Sequence, residues 1–351
     1  MTRTNELKYT SVEICAGAGG QAVGLHNAGF KHLALIEIDK DACQTLRDNT
    51  ARNPEWEACK VIEADLREFD HADLGLRPGE LDLLAGGVPC PPFSAAGKQL
   101  GRDDERDLFP TMLGLIDHLE PKAVMIENVR GLLDPKFKEY REEILKRLES
   151  MGYEPCYWDI LEAKDYGVPQ LRPRAILVAM KPRYARYFEH HKPVENTLVT
   201  VGAALHDSMR ERYDAVADDP RAEAAFKRWY DKALEGVAPT VVGGSKKHGG
   251  ADLGPTRAKR AWADLGVCAL GVANEPEDMK DPERDLFAAK GPKLTVTQAA
   301  LIQGFPDKWK FAGRKTAAYR QVGNAFPPPV AQAVGNQIYA AFEAEAKARL
   351  A

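Results

Sequence analysis

EICAGAGGQAVGLHNAGF, residues 13–30, runs from an apolar strand through a glycine-rich turn into the start of a helix. Small residues at Ala16, Gly17, Gly19 and Gly20 let a backbone approach a ligand at the carboxyl edge of a sheet. Alone, the stretch is equally a tight strand-to-helix turn. Further apolar runs decide the class: HLALIEI (32–38), CKVIEA (59–64), LDLLAGG (81–87), AVMIENV (123–129) and AILVAM (175–180). Helical patterns separate them, such as Phe137, Tyr140, Ile144, Leu148 and Met151 on one face. Strands alternating with helices imply βαβ units and a mostly parallel, doubly wound sheet. Near-continuous apolar strands fit a sheet covered by helices on both faces.

The chain has 351 residues, beyond the roughly 250–300 at which one core tends to split. A second, smaller domain is therefore expected. Residues 182–290 are rich in charge, Pro and Gly, and GGSKKHGGADLG (243–254) is the clearest loop signal. Regularity returns in LTVTQAALIQGF (294–305) and in the helical tail PPPVAQAVGNQIYAAFEAEAKARL (327–350). The reading is a large α/β domain (1–181), an irregular insert (182–290), and a segment (291–351) returning to the large domain.

No apolar run approaches the ~18 residues of a membrane span, and the N-terminus lacks the apolar core of a secretory signal. The expected compartment is the cytoplasm. The six cysteines form no CxxC pair and no Cys/His metal spacing. The formal charge of −4 announces no nucleic-acid partner, although a basic footprint can be local.

Two carboxylates accompany the glycine turn. Glu37 ends the second strand, where an acid can take ribose hydroxyls. Asp65 follows the third, where it can accept from an adenine amino group. The turn reads GAGG rather than GxGxxG, which disfavours a pyrophosphate. S-adenosylmethionine, a sulfonium without phosphates, fits better.

GGVPCPPFSAAGKQ (86–99) places Cys90 among three prolines after the fourth strand. Taken alone, that thiol is as consistent with inert packing as with chemistry. Glu127 and Asn128 end the next strand, and a glutamate terminating an apolar strand is costly to bury without a partner. Gln170, Arg172 and Arg174 alternate onto one face as the last strand begins. By themselves they suggest a structural salt-bridge strand. Thiol, glutamate and arginine pair at neighbouring strand ends instead suggest attack on an electrophilic ring assisted by proton donation.

EICAGAGG, the acid in IEID, AD after strand three, GGVPCPPFS, RDLFPTML, ENVRG, QLRPR, KLTVTQAALIQGFPD and YRQVGNAFPPPVA stand in an order that resembles the bacterial DNA (cytosine-5) methyltransferases. The likeness covers the chain outside about 182–290. It implies a Rossmann-like domain that binds S-adenosylmethionine, through Cys15, Ala16, Gly17, Gly19, Gly20, Glu37, Ile38, Asp65, Leu66, Pro89, Leu108, Asn324 and Ala325. It implies that 182–290 is the target-recognition region. Cys90 matches the nucleophile that adds to cytosine C6, and Glu127 the residue that protonates N3. Arg172 and Arg174 match contacts to the cytosine O2 that also hold Glu127 and the loop. Ser94, Asn128 and Gln170 match positioning residues on the substrate side.

Such chemistry needs the base flipped out of the duplex. The loop GKQLGRDDERD (97–107) is the candidate to close over it. A local DNA footprint is expected between Thr240 and Trp262, where Lys246, Lys247, Arg257, Lys259 and Arg260 face a single acid, Asp252. The resemblance further implies double-stranded DNA as substrate, a monomer, a nucleoid location, and a cognate restriction nuclease or phage-defence partner.

The chain departs from the family pattern at Cys15 and Ile38, where aromatics are common. Pro91 replaces a frequent glutamine, and Lys293 a frequent arginine. A tRNA methyltransferase on the same scaffold is disfavoured by the missing Cys-Phe-Thr tripeptide, and an inactive relative by the intact Cys90, Glu127, Arg172 and Arg174.

Overall fold

The computed structural model describes residues 3, 5–89, 107–190, 198–243 and 251–351. The chain divides into two units. The first comprises 1–161, 173–192 and 330–351, and the second comprises 162–172 and 193–329.

The first unit carries one seven-stranded sheet: β1 (Tyr9–Ile14), β2 (Phe30–Glu37), β3 (Lys60–Glu63), β4 (Leu83–Gly86), β5 (Ala123–Val129), β6 (Glu154–Glu162) and β7 (Pro173–Met180). Their spatial order is β3-β2-β1-β4-β5-β7-β6. Pairs β1/β2, β2/β3, β1/β4 and β4/β5 are parallel, whereas β7 runs antiparallel to β5. Helices α1 (Gly20–Asn27), α2 (Lys40–Thr50), α3 (Phe109–Leu119) and α4 (Lys138–Ser150) follow β1, β2, β4 and β5 in sequence, as parallel crossovers require. This is the doubly wound sheet of a Rossmann-like domain.

Local chemistry explains the boundaries near the site. Gly19 enters α1 in the left-handed region at φ 86°, a conformation glycine adopts without steric cost. Asp39 caps α2 by accepting from the Asp41 and Ala42 amides at 3.1 and 3.2 Å. Val12, Ile14, Leu84, Val124, Ile126 and Leu177 are buried in one core with Met112 and Ile116 of α3.

Of the seven strands, β6 goes unseen in the sequence. It begins Glu-Pro and alternates half-exposed residues, because it is a sheet edge with one neighbour. The other edge strand, β3, keeps the short apolar pair Val61-Ile62, whereas β6 interleaves Pro155, Cys156 and Asp159 among its apolar residues.

Residues 182–290 are not irregular. After a short turn α5 (Pro182–Ala185), its described residues form α6 (Val201–Asp214), α7 (Ala222–Ala233), α8 (Thr256–Asp264) and the short α9 (Pro282–Asp285), and beyond it follow α10 (Val296–Ile302) and α11 (Lys315–Asn324). Val201, Leu205, Met209 and Tyr213 recur every four residues and are fully buried, packing with Phe226, Trp229 and Trp262. Charged residues on the outer faces hide that periodicity when composition is judged over the whole segment.

The expected boundaries at 182 and 290 also shift. Residues 291–329 belong to the second unit, and only the later part of the tail helix α12 (Pro328–Leu350) returns to the first. The reason is packing: Leu294, Val296, Ala299, Ile302, Tyr319 and Val322 complete the core of α6 and α7. The stretch 162–172 joins the second unit as well, and Gln170 bridges Ala238 there.

Candidate active site

The carboxyl ends of β1, β2, β4 and β5 share one edge of the sheet, and strand order reverses between β1 and β4. Ligands of open α/β sheets bind outside such a switch point. On one side of it lies the turn Cys15–Gly20; on the other, Gly87-Val88-Pro89 leads toward Cys90.

The turn is drawn onto β2 by Glu37. Its carboxylate accepts from the Gly17 amide at 2.7 Å and from the Ile38 and Asp39 amides at 2.9 Å each. Cys15 and Gly17 adopt positive φ of 51° and 54°, and a Cβ at Gly17 would meet only open space. Ile38 is 60% exposed, a large apolar side chain left bare beside this turn. Open space at a glycine turn, a fixed carboxylate and a bare aliphatic surface fit the ribose and adenine of S-adenosylmethionine.

Asp65 is less available than expected. Arg67 donates to it from its amide and Nε at 3.0 Å, and these bonds hold its carboxyl down at about 2. Leu66 is buried in the core, so only its backbone can face a ligand. The Leu108 amide donates to the Pro89 carbonyl at 3.5 Å, which ties the start of α3 to the end of the β4 extension.

Glu127 is the acid at the end of β5. Because β7 is antiparallel, its first residues lie beside the last residues of β5, and Val129 registers with Arg174. Arg174 Nε therefore reaches Glu127 Oε1 at 2.7 Å, with both side chains mostly buried, 12% and 14% exposed. The other carboxylate oxygen lies over Gly87, where a Cβ would come within 2.8 Å of Glu127 Oε2. Sequence reading missed this role for Gly87; its signal is the doubled glycine before Val-Pro-Cys. Asn128, 6% exposed, donates from Nδ2 to the Val88 carbonyl at 2.8 Å and so anchors the same extension from the other face.

Gln170 and Arg172 do not join Arg174. Both are fully buried in the second unit. Arg172 donates to the carbonyls of Val241, Gly323 and Ala325 at 2.6, 2.8 and 2.9 Å. Gln170 donates to Gln303 Oε1 at 2.6 Å and accepts from the Val241 amide at 2.7 Å. The Arg172 guanidinium thus serves backbone carbonyls of the second unit, whereas Arg174 is the arginine paired with Glu127. The alternation that suggested one face breaks because β7 starts only at Pro173. Ala325 is buried beneath this network and Asn324, at the end of α11, is exposed.

On the basic segment, Arg257 and Arg260 are exposed on α8, while Lys259 is paired with Asp252 at 2.7 Å. Cys90, Ser94, Lys246, Lys247 and nearly all of the loop 97–107 lie outside the described residues.

The chain matches the model of the C-5 cytosine-specific DNA methylases over residues 9–340. It is 50% identical to the type II methyltransferase M.NaeI of Lentzea aerocolonigenes, over 96% of this chain and 76% of that one. It is 48% identical to the type II methyltransferase M.NgoMIV of Neisseria gonorrhoeae, over 97% and 100%. Among solved structures, a Spodoptera frugiperda DNMT2 variant shares the fold with a TM-score of 0.61 at 13% identity, covering 95% of this chain and 100% of that one. The Entamoeba histolytica methyltransferase EhMeth does so with 0.60 at 16%, covering 96% and 98%. With the switch-point turn, the Glu127–Arg174 pair and a match across nearly its whole length, the chain belongs to the C-5 cytosine-specific DNA methylase family.

Proposed function

We propose that this S-adenosylmethionine-dependent DNA (cytosine-5) methyltransferase works through a covalent adduct between Cys90 and a flipped cytosine, as the modification half of a type II restriction–modification system. The carrying observation is the Glu127 carboxylate, held by Arg174 and set over Gly87 three residues before Cys90.

Cytosine C5 is a poor nucleophile. Addition of the Cys90 thiolate to C6 moves the ring electrons toward N3 and leaves an enamine with its reactive carbon at C5. Glu127 delivers a proton to N3, so that no full negative charge builds on the ring. Bound S-adenosylmethionine supplies the methyl group that the activated C5 takes. Loss of the C5 proton to water restores the C5–C6 double bond and expels the thiolate, and N3 returns its proton to Glu127.

Arg174 is the orienting group: its Nε holds one carboxylate oxygen of Glu127 at 2.7 Å. Arg172 is a positioning residue that organises residues 241 and 323–325. In this reading Glu37 and the turn Cys15–Gly20 hold the cofactor, with Leu108 and Pro89 around it. Residues 193–329, with Arg257, Arg260, Lys246 and Lys247, supply target recognition. A cognate nuclease of the same target sequence completes the system, and the enzyme acts on chromosomal DNA at the nucleoid.

Tritiated S-adenosylmethionine tests this with DNA and tRNA as acceptors. Label in DNA alone, abolished by Cys90→Ser, is the expected result. Label in neither acceptor, with bisulfite sequencing showing no modified cytosine in an expressing host, overturns the reading.

A further inference from the structure

Beneath the cofactor turn lies a buried polar cluster that the methyl-transfer chemistry does not use. Ser11 and Glu13 share one face of β1, and both are fully buried. Ser11 registers with His32 on β2, just where the β1/β2 register slips by one residue. His32 is 3% exposed. Its Nε2 donates to the Ala22 carbonyl of α1 at 2.9 Å. Its Nδ1 lies 2.7 Å from Ser11 Oγ and 3.3 Å from Glu13 Oε1. Glu13 in turn accepts a long hydrogen bond from Gln21 Nε2 of α1 at 3.4 Å. Glu13 precedes the turn Cys15–Gly20, and Gln21 and Ala22 follow it. The cluster therefore grips both ends of the turn from below.

We infer that Ser11, Glu13 and His32 are positioning residues for the cofactor turn, forming a latch in which His32 is neutral and Glu13 holds the proton. The inference rests on reading Cys15–Gly20 as the cofactor turn. Hydrogen-bond geometry carries it. With Nε2 committed to the Ala22 carbonyl, a neutral His32 presents a lone pair at Nδ1. An ionised Glu13 beside that lone pair is repelled; a protonated one is not. An imidazolium paired with a carboxylate is the alternative, but both ions would then be buried, at 3% and 0% exposure. Burial agrees with the neutral arrangement: it pushes the Glu13 carboxyl up to about 8 and holds the His32 imidazole down at about 3.

The surrounding groups do not supply a counter-charge. From α1, the His26 ring stacks against the His32 ring with centroids 6.3 Å apart, and each stacks on Trp56 with centroids 4.6 Å apart. Burial also lowers the His26 pKa. His26 is bonded outward to Glu55, which Arg3 pairs. From the approach to β3, the Cys59 thiol is pushed up to about 12 by burial and by Glu13.

Glu13 binds its proton more tightly folded than unfolded, so the native state holds the extra proton between about pH 4.5 and 8. Stability from this group is full below that window and declines as pH rises through it. Above about 8, the native carboxyl ionises, the latch loosens, and cofactor affinity falls by at most about tenfold per pH unit.

The test uses the whole protein with S-adenosylhomocysteine as probe. Imidazole nitrogen NMR of the wild type is expected to show His32 as the neutral Nε2–H tautomer from pH 5 to 8; an imidazolium at pH 7 overturns the latch. Glu13→Gln, the neutral mimic, is expected to keep the dissociation constant within about twofold at pH 7. It should also keep its affinity above pH 8, where the wild type weakens, and gain thermal midpoint over the wild type progressively from pH 5 to 8. Equal pH profiles for the two proteins overturn the proposal. Glu13→Ala is expected to weaken binding; should that variant not fold, the His32 signal and the Gln variant still decide. A wild type that binds no S-adenosylhomocysteine while His32 shows the neutral tautomer refutes the turn's assignment and not the latch's proton.

Discussion

At the residue scale, two arginines two positions apart do different work. Arg174 touches Glu127 at the sheet edge, whereas Arg172 serves three buried carbonyls. Glu127→Gln is expected to leave folding intact and cut methyl transfer by about 10²-fold or more, because an amide cannot deliver the proton to N3; tritium incorporation into cognate DNA measures it. Arg172→Met should instead destabilise the protein by about 3 kcal/mol or more, since three carbonyls lose a charged donor at once. Denaturant unfolding reads that cost. The cysteines divide in the same way. Burial pushes the thiols of Cys15, Cys43, Cys59 and Cys156 up to about 12. At pH 8 each is a thiolate to roughly one part in ten thousand. Brief alkylation with mass-spectrometric mapping should therefore leave all four unmodified, including the half-buried Cys15. Rapid labelling of Cys15 would contradict that environment.

At the element scale, the fold brings backbones together where glycines permit it. A Cβ at Gly323 in α11 would fall on the backbone of Gly243, and one at Gly243 would fall on Asn324 and the Arg320 carbonyl. The Arg172 bonds to Val241, Gly323 and Ala325 span the same contact. Gly323→Ala is expected to cost about 2 kcal/mol or more through this overlap, although alanine is normally the better helix former. Thermal unfolding decides it, and a stabilised variant would disprove the close approach. The antiparallel placement of β7 matters for the same reason. A parallel strand there would carry Arg174 to the opposite edge of the sheet, away from Glu127. The sequence announces neither its direction nor the edge strand β6. Direction depends on the connection between strands, and β6 is apolar on too little of its surface.

On the scale of the whole molecule, a net charge of −4 provides no general attraction to DNA, so binding must come from local cations. Arg257 and Arg260 are exposed on α8, and Lys259 is already neutralised by Asp252. Double substitution of Arg257 and Arg260 by Ala should weaken DNA binding at low salt. It should also flatten the salt dependence of log Kd by roughly one to two. The Lys259→Ala variant should change that slope less. Fluorescence anisotropy across a salt series distinguishes the two cases. No described helix is long and apolar enough to cross a membrane.

The sequence by itself determined the strand-and-helix alternation, the glycine turn followed by Glu37, the acid ending β5 and the family. Each of these depends on residues close together in the chain or on motifs in a fixed order. Only the tertiary structure decided that Arg174 and not Arg172 meets Glu127, that Gly87 makes room for that carboxylate, and that 291–329 packs with α6 and α7. It likewise decided that His32 closes over Ser11 and Glu13. These depend on which strand lies beside which, and in which direction. That choice is made by burial summed over the whole core, which no local pattern encodes.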